Sequence, residues 1–591
     1  MPARVPVVMK SAYRFILSSG ATLSPLSSNE DPTYRRARNM PDLKRKRGVA
    51  TCAGFLLLLT APLYLLSCSS GSRSNTPTLN PPLPRAGVDV TTYHNDVTRT
   101  GQNLNESILT PGNVNSSNFG KLLVIPVDGK VDAEPLYLGG VTIPNKGTHN
   151  VLYVVTEHGS VYAMDADTGT NVWQFSTLQP GETTSDNHGC EQITPEIGIT
   201  ATPVIDRKAG ANGTIYVVAM SKDSSGGYHQ RLHALDVTTG AEEFAGPQNI
   251  QASVQGTGDN SSGGTVIFDP GQYAERAGLL LLNGVIYTSW TSHCDIRPYT
   301  GWMMGYDQHT LAQVTVLNVT PNGNEGAFWM SGTAPAADSS GNIYALDGNG
   351  VFDSTVNSSG FPSEGDFGNA FLKISTANNQ LAVADYFEMS NQSSENSTDV
   401  DLGSGGALVL PDLKNGSGQT VHLAVGAGKD GNIYVVNRDS MGKFDPTSNH
   451  IYQELPGAVS GGAFSMPAYF NSTIYYGAVG DSIQAFTISN AQLSNTPASR
   501  TGNPFPYPGT TPSISANGTS GAILWAAENG SNAVLHAYDA SNLANELYNS
   551  NQASGGRDQF GTGNKFITPM VTNGKVYVGT TNGVGVFGLL H

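Results

Sequence analysis

The chain has 591 residues, of which 69 are glycine and only 13% are charged. Frequent glycine with few charges is typical of a turn-rich, all-β protein. The formal net charge of −16 argues against nucleic acid as a partner, because phosphate binding requires a basic surface.

The N-terminal region predicts export. We interpret residues 1–39 as a leader upstream of a candidate start at Met40. Residues 40–67 carry a basic stretch and then an apolar stretch, the order found in secretory signal peptides. They end in Leu-Leu-Ser before Cys68, which resembles a bacterial lipobox, whose cysteine is lipidated. An ordinary signal peptide and an uncleaved anchor are the alternatives. Residues 68–88, rich in serine and proline, predict a tether.

Residues 151–175 predict three short strands separated by tight turns. Val151 to Thr156 is a β-branched and aromatic run, and Gly159 lies in the turn that follows it. A single meander of this kind cannot bury both of its faces, so it needs copies of itself on either side.

Three marks recur in the same order along the chain. The first is an aromatic residue between apolar ones, at Tyr153, Tyr216, Tyr287, Tyr344, Tyr434, Tyr475, Trp525 and Tyr577. The second is a small residue, an apolar one and an aspartate, which ends at Asp165, Asp236, Asp307 and Asp539. The third is a Thr or Met at or near a proline, at Thr202, Thr333, Met466, Thr511 and Thr568.

These eight units predict an all-β fold, an eight-bladed β-propeller of four-stranded antiparallel blades over residues 89–591. Residues 120–128 have no partner of their own, and we expect this N-terminal strand to join the last blade and close the ring. An unrelated β-sandwich is the alternative.

The marks also carry a family resemblance. Residues 153–173, with Gly-Ser-Val-Tyr-Ala-Met-Asp-Ala-Asp-Thr-Gly at their centre, resemble the repeat of pyrroloquinoline quinone (PQQ) β-propellers. Residues 93–114 and 198–206 are similar to segments of quinoprotein alcohol dehydrogenases. The resemblance implies the propeller fold, but that fold serves both dehydrogenases and non-catalytic scaffold lipoproteins.

Polar residues in the loops supply the candidate site. For a metal the candidates are His188, His293 and Asp295, since imidazole and carboxylate groups are metal ligands. The resemblance implies quinone contacts by blade-entrance residues, for which the candidates are Glu196, Trp329, Lys429 and Arg438. Turn-forming or exposed roles are the alternative for each of them. Cys190 and Cys294 form a disulfide or stay separate thiols.

The sequence is compatible with two main functions. Its differences from the pattern of the quinoprotein dehydrogenases decide which of the two we favour. The resemblance implies an adjacent Cys-Cys pair in the dehydrogenases, and this sequence has none. We therefore expect an exported, membrane-tethered lipoprotein that binds a protein or carbohydrate partner at the cell envelope. Its lipid anchor would hold it at the outer membrane, facing the periplasm or the cell surface. The alternative is a periplasmic oxidoreductase that uses PQQ and calcium on an alcohol or sugar. A metal-dependent hydrolase or lyase is a third reading.

Overall fold

The computed structural model describes residues 88–590. The predicted leader, the predicted signal peptide, the predicted lipidation site at Cys68 and nearly all of the predicted tether lie outside the described residues. Within the described part, eight antiparallel sheets of four or five strands follow one another along the chain.

The first four sheets contain these strands. Sheet 1 has Leu136–Ile143, Gly147–Val155, Ser160–Asp165 and Asn171–Ser176. Sheet 2 has Thr183–Thr184, Val204–Asp206, Thr214–Lys222, Tyr228–Asp236 and Gln248–Asn249. Sheet 3 has Tyr273–Glu275, Leu280–Leu282, Val285–Ser292, Trp302–Asp307 and Gln313–Asn318. Sheet 4 has Ala336–Ala337, Asn342–Leu346, Phe371–Ser375 and Ala382–Phe387.

The other four sheets continue the series. Sheet 5 has Leu408–Val409, Leu423–Ala427, Ile433–Asn437 and Gln453–Leu455. Sheet 6 has Ala468–Phe470, Thr473–Gly477, Ile483–Ser489, Gln492–Leu493 and Ser499–Arg500. Sheet 7 has Ser513–Asn517, Ser520–Glu528, Val534–Asp539 and Glu546–Asn549, with Gln102–Asn103 parallel at its edge. Sheet 8 has Met570–Thr572, Lys575–Gly579 and Gly583–Leu589, joined by Phe119–Pro126.

Smaller elements decorate the sheets. Ser253–Gln255, Ser261–Ser262 and Thr265–Ile267 form a three-stranded sheet, and Leu413–Lys414 pairs with Thr420–Val421. One α-helix spans Gln392–Thr398 among the described residues, and 3-10 turns span Met330–Gly332, Ala377–Asn379, Leu402–Ser404 and Ser554–Gly556.

The recurring aspartate shapes the turn between the third and fourth strands. In sheet 1, Asp165 Oδ1 accepts hydrogen bonds from the backbone N–H groups of Asp167 and Thr168, at 3.0 and 2.7 Å. Asp236 Oδ1 accepts the same pair of bonds in sheet 2. Such Asx turns let a short side chain satisfy backbone donors that no strand can reach.

The recurring tyrosine links one sheet to the next at four places. Tyr153 donates to the carbonyl of Val237, the residue after the sheet 2 aspartate, at 2.9 Å. The same bond joins sheets 2 and 3, sheets 6 and 7, and sheets 8 and 1, in the pairs Tyr216–Gln308, Tyr475–Ala540 and Tyr577–Ala166. The tyrosine and aspartate marks are thus the two halves of one contact between sheets.

The core lies between the faces of neighbouring sheets. One cluster combines buried side chains of sheet 1 with Ile215 of sheet 2 and with Tyr577 and Val586 of sheet 8. Phe119–Pro126 pairs with Gly583–Leu589 along its length, as expected for the N-terminal strand. The first and last sheets are therefore in contact.

Residues 88–103, which we call the axial segment, contact all eight sheets. Val90 pairs with Tyr137 of sheet 1, and the Asn103 side-chain amide donates to the carbonyl of Val571 in sheet 8. In between, its carbonyls accept backbone bonds from first-strand residues of sheets 2, 4, 5, 6 and 7, at Ile205, Ala337, Val409, Tyr469 and Ile514. Arg99 reaches sheet 3 through the carbonyl of Leu279 at 3.5 Å. The axial segment therefore packs against the first strands of most of the sheets.

Arg99 and His94 anchor the axial segment through the prolines of the third mark. Arg99 is fully buried and donates to the carbonyl of Pro335 at 2.9 Å, and a His94 ring nitrogen lies 2.9 Å from the carbonyl of Pro512. The third mark therefore provides inward-facing carbonyls for the axial segment.

Candidate binding face

Loops between sheets, together with connections within sheets 3 and 5, bring aromatic and cationic side chains together. We call this group the mouth, and it consists of Arg276, Trp329, Lys429, Phe464, Tyr507, Lys565 and Phe566. Each aromatic member comes from a different connection, between sheets 3 and 4, 5 and 6, 6 and 7, or 7 and 8.

The four aromatic rings form a continuous arc. The ring centroids of Trp329 and Phe464 are 5.8 Å apart, those of Phe464 and Tyr507 5.6 Å, and those of Tyr507 and Phe566 6.3 Å. All three pairs are edge-to-face, the arrangement that the ring quadrupole favours. Tyr507 keeps 46% of its surface exposed, and the other three rings are half-buried. The arc is therefore an ordered apolar surface that remains in contact with solvent.

A charged network lies at the Trp329 end of the arc. The indole N–H of Trp329 donates to Asp401 Oδ2 at 2.8 Å, and Lys429 Nζ lies 2.6 Å from Asp401 Oδ1 and from Asp399 Oδ1. Burial raises the pKa of Asp401, while the neighbouring ammonium lowers it. Burial lowers the pKa of Lys429, but the two carboxylates outweigh it and raise that pKa above its usual value. The lysine is therefore a fixed cation, 5.5 Å from the centroid of the Trp329 ring.

Two further cations lie at the Phe566 end. The guanidinium of Arg276 stands 4.7 Å from the centroid of the Phe566 ring, and Lys565 Nζ donates to Gln192 Oε1 at 2.7 Å. Burial, together with the charges of Arg276 and Lys130, lowers the pKa of Lys565 to about 8. This end of the arc therefore carries closely spaced positive charge.

The backbone is strained where the loops turn inward. Met330 has φ of 37°, Ser331 51° and Phe566 64°, in the left-handed region that non-glycine residues avoid. Ser331 is held there by its hydroxyl, which donates to the carbonyl of Ser404 at 2.6 Å. Strain of this kind is concentrated at functional sites, where the surrounding structure enforces it.

The structure brings together two of the four residues predicted to contact a quinone. Trp329 and Lys429 meet at Asp401, as described above. Glu196 instead contacts the ring of His158, 3.0 Å away. Arg438 follows Ile433–Asn437, the strand that Lys429 precedes, so it lies at the other end of sheet 5, where it pairs with Asp338 at 3.2 Å.

The residues predicted for a metal lie around a disulfide that joins Cys190 to Cys294, with their Cα atoms 5.5 Å apart. The rings of His188 and His293 stack with centroids 4.1 Å apart. Asp295 accepts a hydrogen bond from the Tyr299 hydroxyl at 2.9 Å. Burial lowers the pKa of His293 to about 4, so its imidazole is neutral. Across residues 88–590 no group of three or more His, Cys, Asp or Glu side chains is arranged to hold a metal ion.

Sequence reasoning missed five members of the mouth: Arg276, Phe464, Tyr507, Lys565 and Phe566. A signal was present, because Phe464 and Phe566 stand two residues before the Thr or Met of the third mark. Tyr507 and Trp329 stand four residues before it. An aromatic residue at this spacing from the third mark identifies the arc.

Comparison with solved structures identifies the fold. The crystal structure of quinohemoprotein alcohol dehydrogenase from Comamonas testosteroni matches with a TM-score of 0.56 and 14% identity, over 85% of this chain and 80% of that one. The quinohemoprotein alcohol dehydrogenase ADHIIG from Pseudomonas putida HK5 matches at 0.55 and 13%, with the same coverage. The fold is that of a quinoprotein-type β-propeller.

Further comparisons show how little the fold alone indicates about the chemistry of this protein. A europium-containing methanol dehydrogenase matches the propeller at 0.52 and 12% identity, over 85% of this chain and 98% of that one. By sequence, no family model and no curated protein matches the propeller. At such identities the likeness concerns the fold alone.

The mouth of the propeller meets only part of what a quinone with calcium needs. An aromatic ring, a cation and a carboxylate lie together at Trp329, Lys429 and Asp401. Lys429 Nζ stands 5.5 Å from the centroid of the indole ring, and across the described residues no group of three or more His, Cys, Asp or Glu side chains is arranged to hold a metal ion. A search of the same residues for a helix long and apolar enough to span a membrane found none.

Proposed function

We propose that the chain is an exported lipoprotein whose eight sheets form a closed propeller that binds a protein partner at the cell envelope. The lipidated Cys68 and the tether after it would hold the propeller at the outer membrane. Three contacts support a closed ring: Tyr577 reaches sheet 1, Phe119–Pro126 completes sheet 8, and the axial segment contacts every sheet.

The aromatic arc of the mouth carries the proposal for binding. Interfaces between proteins draw most of their energy from a few aromatic and arginine side chains that are ordered before binding. The arc offers four such rings, each fixed by its neighbour, and Arg276 stands against the last of them. Because the rings are already ordered, binding costs little side-chain entropy. A segment of a partner protein that covers the arc fits this surface.

Photo-crosslinking in cells tests the proposal. A benzophenone amino acid placed at Tyr507 should give a discrete crosslink to an envelope protein. The control is the same substitution at Ile267, which is also 46% exposed but lies in the three-stranded sheet outside the arc. A band found at Tyr507 and absent at Ile267 supports the proposal. Equal bands, or none at either position, overturn it. Crosslinks to polysaccharide alone would assign the surface to a carbohydrate instead.

A further inference from the structure

Arg276 is a buried arginine without an acceptor. Only 6% of the residue is exposed, yet within residues 88–590 its guanidinium donates no hydrogen bond and forms no ion pair, and its contact is with the Phe566 ring. Among the described residues, the guanidinium nitrogens of Arg276 are not counted with the fully buried polar atoms that lack a hydrogen-bond partner. They therefore keep some contact with solvent at the mouth.

The other well-buried arginines of the described region show the contrast. Arg99 donates to the carbonyls of Pro335 and Tyr93, Arg231 pairs with Glu182 at 2.6 Å, and Arg438 pairs with Asp338. Burying a guanidinium without an acceptor is costly, since it has five N–H donors and a permanent charge. Arg276 is therefore the member of this group whose acceptor a ligand can supply.

The surroundings of Arg276 carry excess positive charge. Lys565 is close enough to feel the positive charges of both Arg276 and Lys130, and the carboxylate that opposes them is Asp132, 3.6 Å from Lys130 Nζ. Asp132 also accepts a hydrogen bond from Asn564, so it is already engaged. In a chain with a net charge of −16, a group of three cations around one carboxylate is a local exception that favours an anion.

We propose that Arg276 and Lys565 form a binding subsite for a carboxylate group of the ligand that covers the arc. The planar guanidinium fork matches the two oxygens of a carboxylate, and the ammonium of Lys565 adds a second, more mobile donor. Three cations and one carboxylate leave two positive charges, so charge alone does not separate a carboxylate from a phosphate; the apolar contact with Phe566 favours a carboxylate carried by an apolar group. Phe566 underlies the subsite and gives apolar contact to the rest of the ligand. The inference rests on the proposed binding function, and it narrows the partner to one that presents a carboxylate.

Small probes test the subsite on the full chain. N-acetyl-phenylalanine presents a terminal carboxylate beside an aromatic ring, and its amide is the neutral match. N-acetyl-aspartate amide presents a side-chain carboxylate, and inorganic phosphate is the competing oxyanion. Calorimetric titration of the two acids shows whether the subsite prefers the carboxylate of a chain terminus or that of an acidic side chain. We expect one or both to bind, and the neutral amide to bind at least roughly tenfold more weakly, a difference of about 1.4 kcal/mol.

Substitutions assign the binding to the two cations. Arg276→Gln should weaken acid binding roughly tenfold or more, and Arg276→Lys should recover only part of it, because the fork is lost. The exposed Arg500→Gln is the matched control and should bind as the unchanged chain does. Since Arg276 donates no hydrogen bond and forms no ion pair within residues 88–590, its variants should melt no lower than the control, which excludes misfolding.

The pH dependence supplies an independent readout. Lys565 faces Arg276, Lys130, Asp132 and the amide of Gln192, and bound carboxylate should favour its charged form. Acid binding should therefore weaken between pH 7 and pH 9, and Lys565→Met should bind more weakly with a flatter profile. Equal binding of acid and amide, preference for phosphate, or full binding by Arg276→Gln would each overturn the subsite. The Tyr507 crosslink would still stand if only the subsite failed.

Discussion

Replacing Arg99 tests whether the axial segment holds the propeller together. The fully buried guanidinium donates to the carbonyls of Pro335 and Tyr93 and to Thr92 Oγ1, at 2.9, 2.8 and 2.7 Å. Arg99→Met keeps most of the apolar stem but leaves these acceptors without a donor. A buried acceptor that loses its donor costs about 1–3 kcal/mol. Allowing for partial relaxation, the free energy of unfolding should fall by roughly 3–5 kcal/mol.

Urea unfolding and thermal melting measure this loss. For a domain of about 500 residues, 1 kcal/mol corresponds to roughly 1 °C in Tm, so the melting temperature should fall by about 3–5 °C. Arg500→Met is the matched control, because Arg500 is exposed, and it should lose less than about 1 kcal/mol. If Arg99→Met has the same melting temperature and the same free energy of unfolding as Arg500→Met, the axial segment is not a structural anchor and the reasoning fails.

Three further predictions concern closure, pH and anchoring. Deleting Phe119–Pro126 exposes the edge of Gly583–Leu589, so the variant should aggregate or melt well below the full chain in light-scattering and melting assays; unchanged melting would argue against closure. Burial raises the pKa of Glu134 to about 8, above its unfolded value. Its contribution to stability is therefore present at low pH and is lost as pH rises from about 4.5 through 8, and Tm should fall over that range. Glu134→Gln, which can still accept from the His94 N–H, should flatten the fall, and an identical slope would contradict this. Cys68→Ala should abolish fatty-acid labelling of the chain and release it from membranes, whereas retained labelling would refute the lipobox.

The repeat architecture was predictable because its marks form contacts. Tyr153 and Asp236 are far apart in sequence, but each repeats with its unit, and the structure shows that the tyrosine bonds beside the aspartate turn. The same tyrosine contact occurs at four of the sheets, so the two marks recur together along the sequence and indicate the repeat before the contact is known.

The mouth and the axial segment could not be predicted in the same way. Arg276 and Phe566 are 290 positions apart, and nothing in either local sequence indicates that the fold brings them together. Arg99 stands in a polar stretch typical of an exposed loop, and its burial follows only from the strands of several sheets that pack against the axial segment. Lys429 was chosen on the family resemblance, while its pairing with Asp401 depends on the fold of two successive loops.

The claim that the mouth binds a partner rather than a quinone is tested most directly by titrating PQQ with calcium into the purified full chain. Binding is read by the fluorescence of Trp329, with Trp329→Phe as the reference, and by Tm. The account predicts no saturable change in fluorescence and no rise in Tm. Saturation near one equivalent with a stabilisation of about 3 kcal/mol or more at a hundredfold excess over Kd would contradict it. That result would make the propeller a quinone-binding protein.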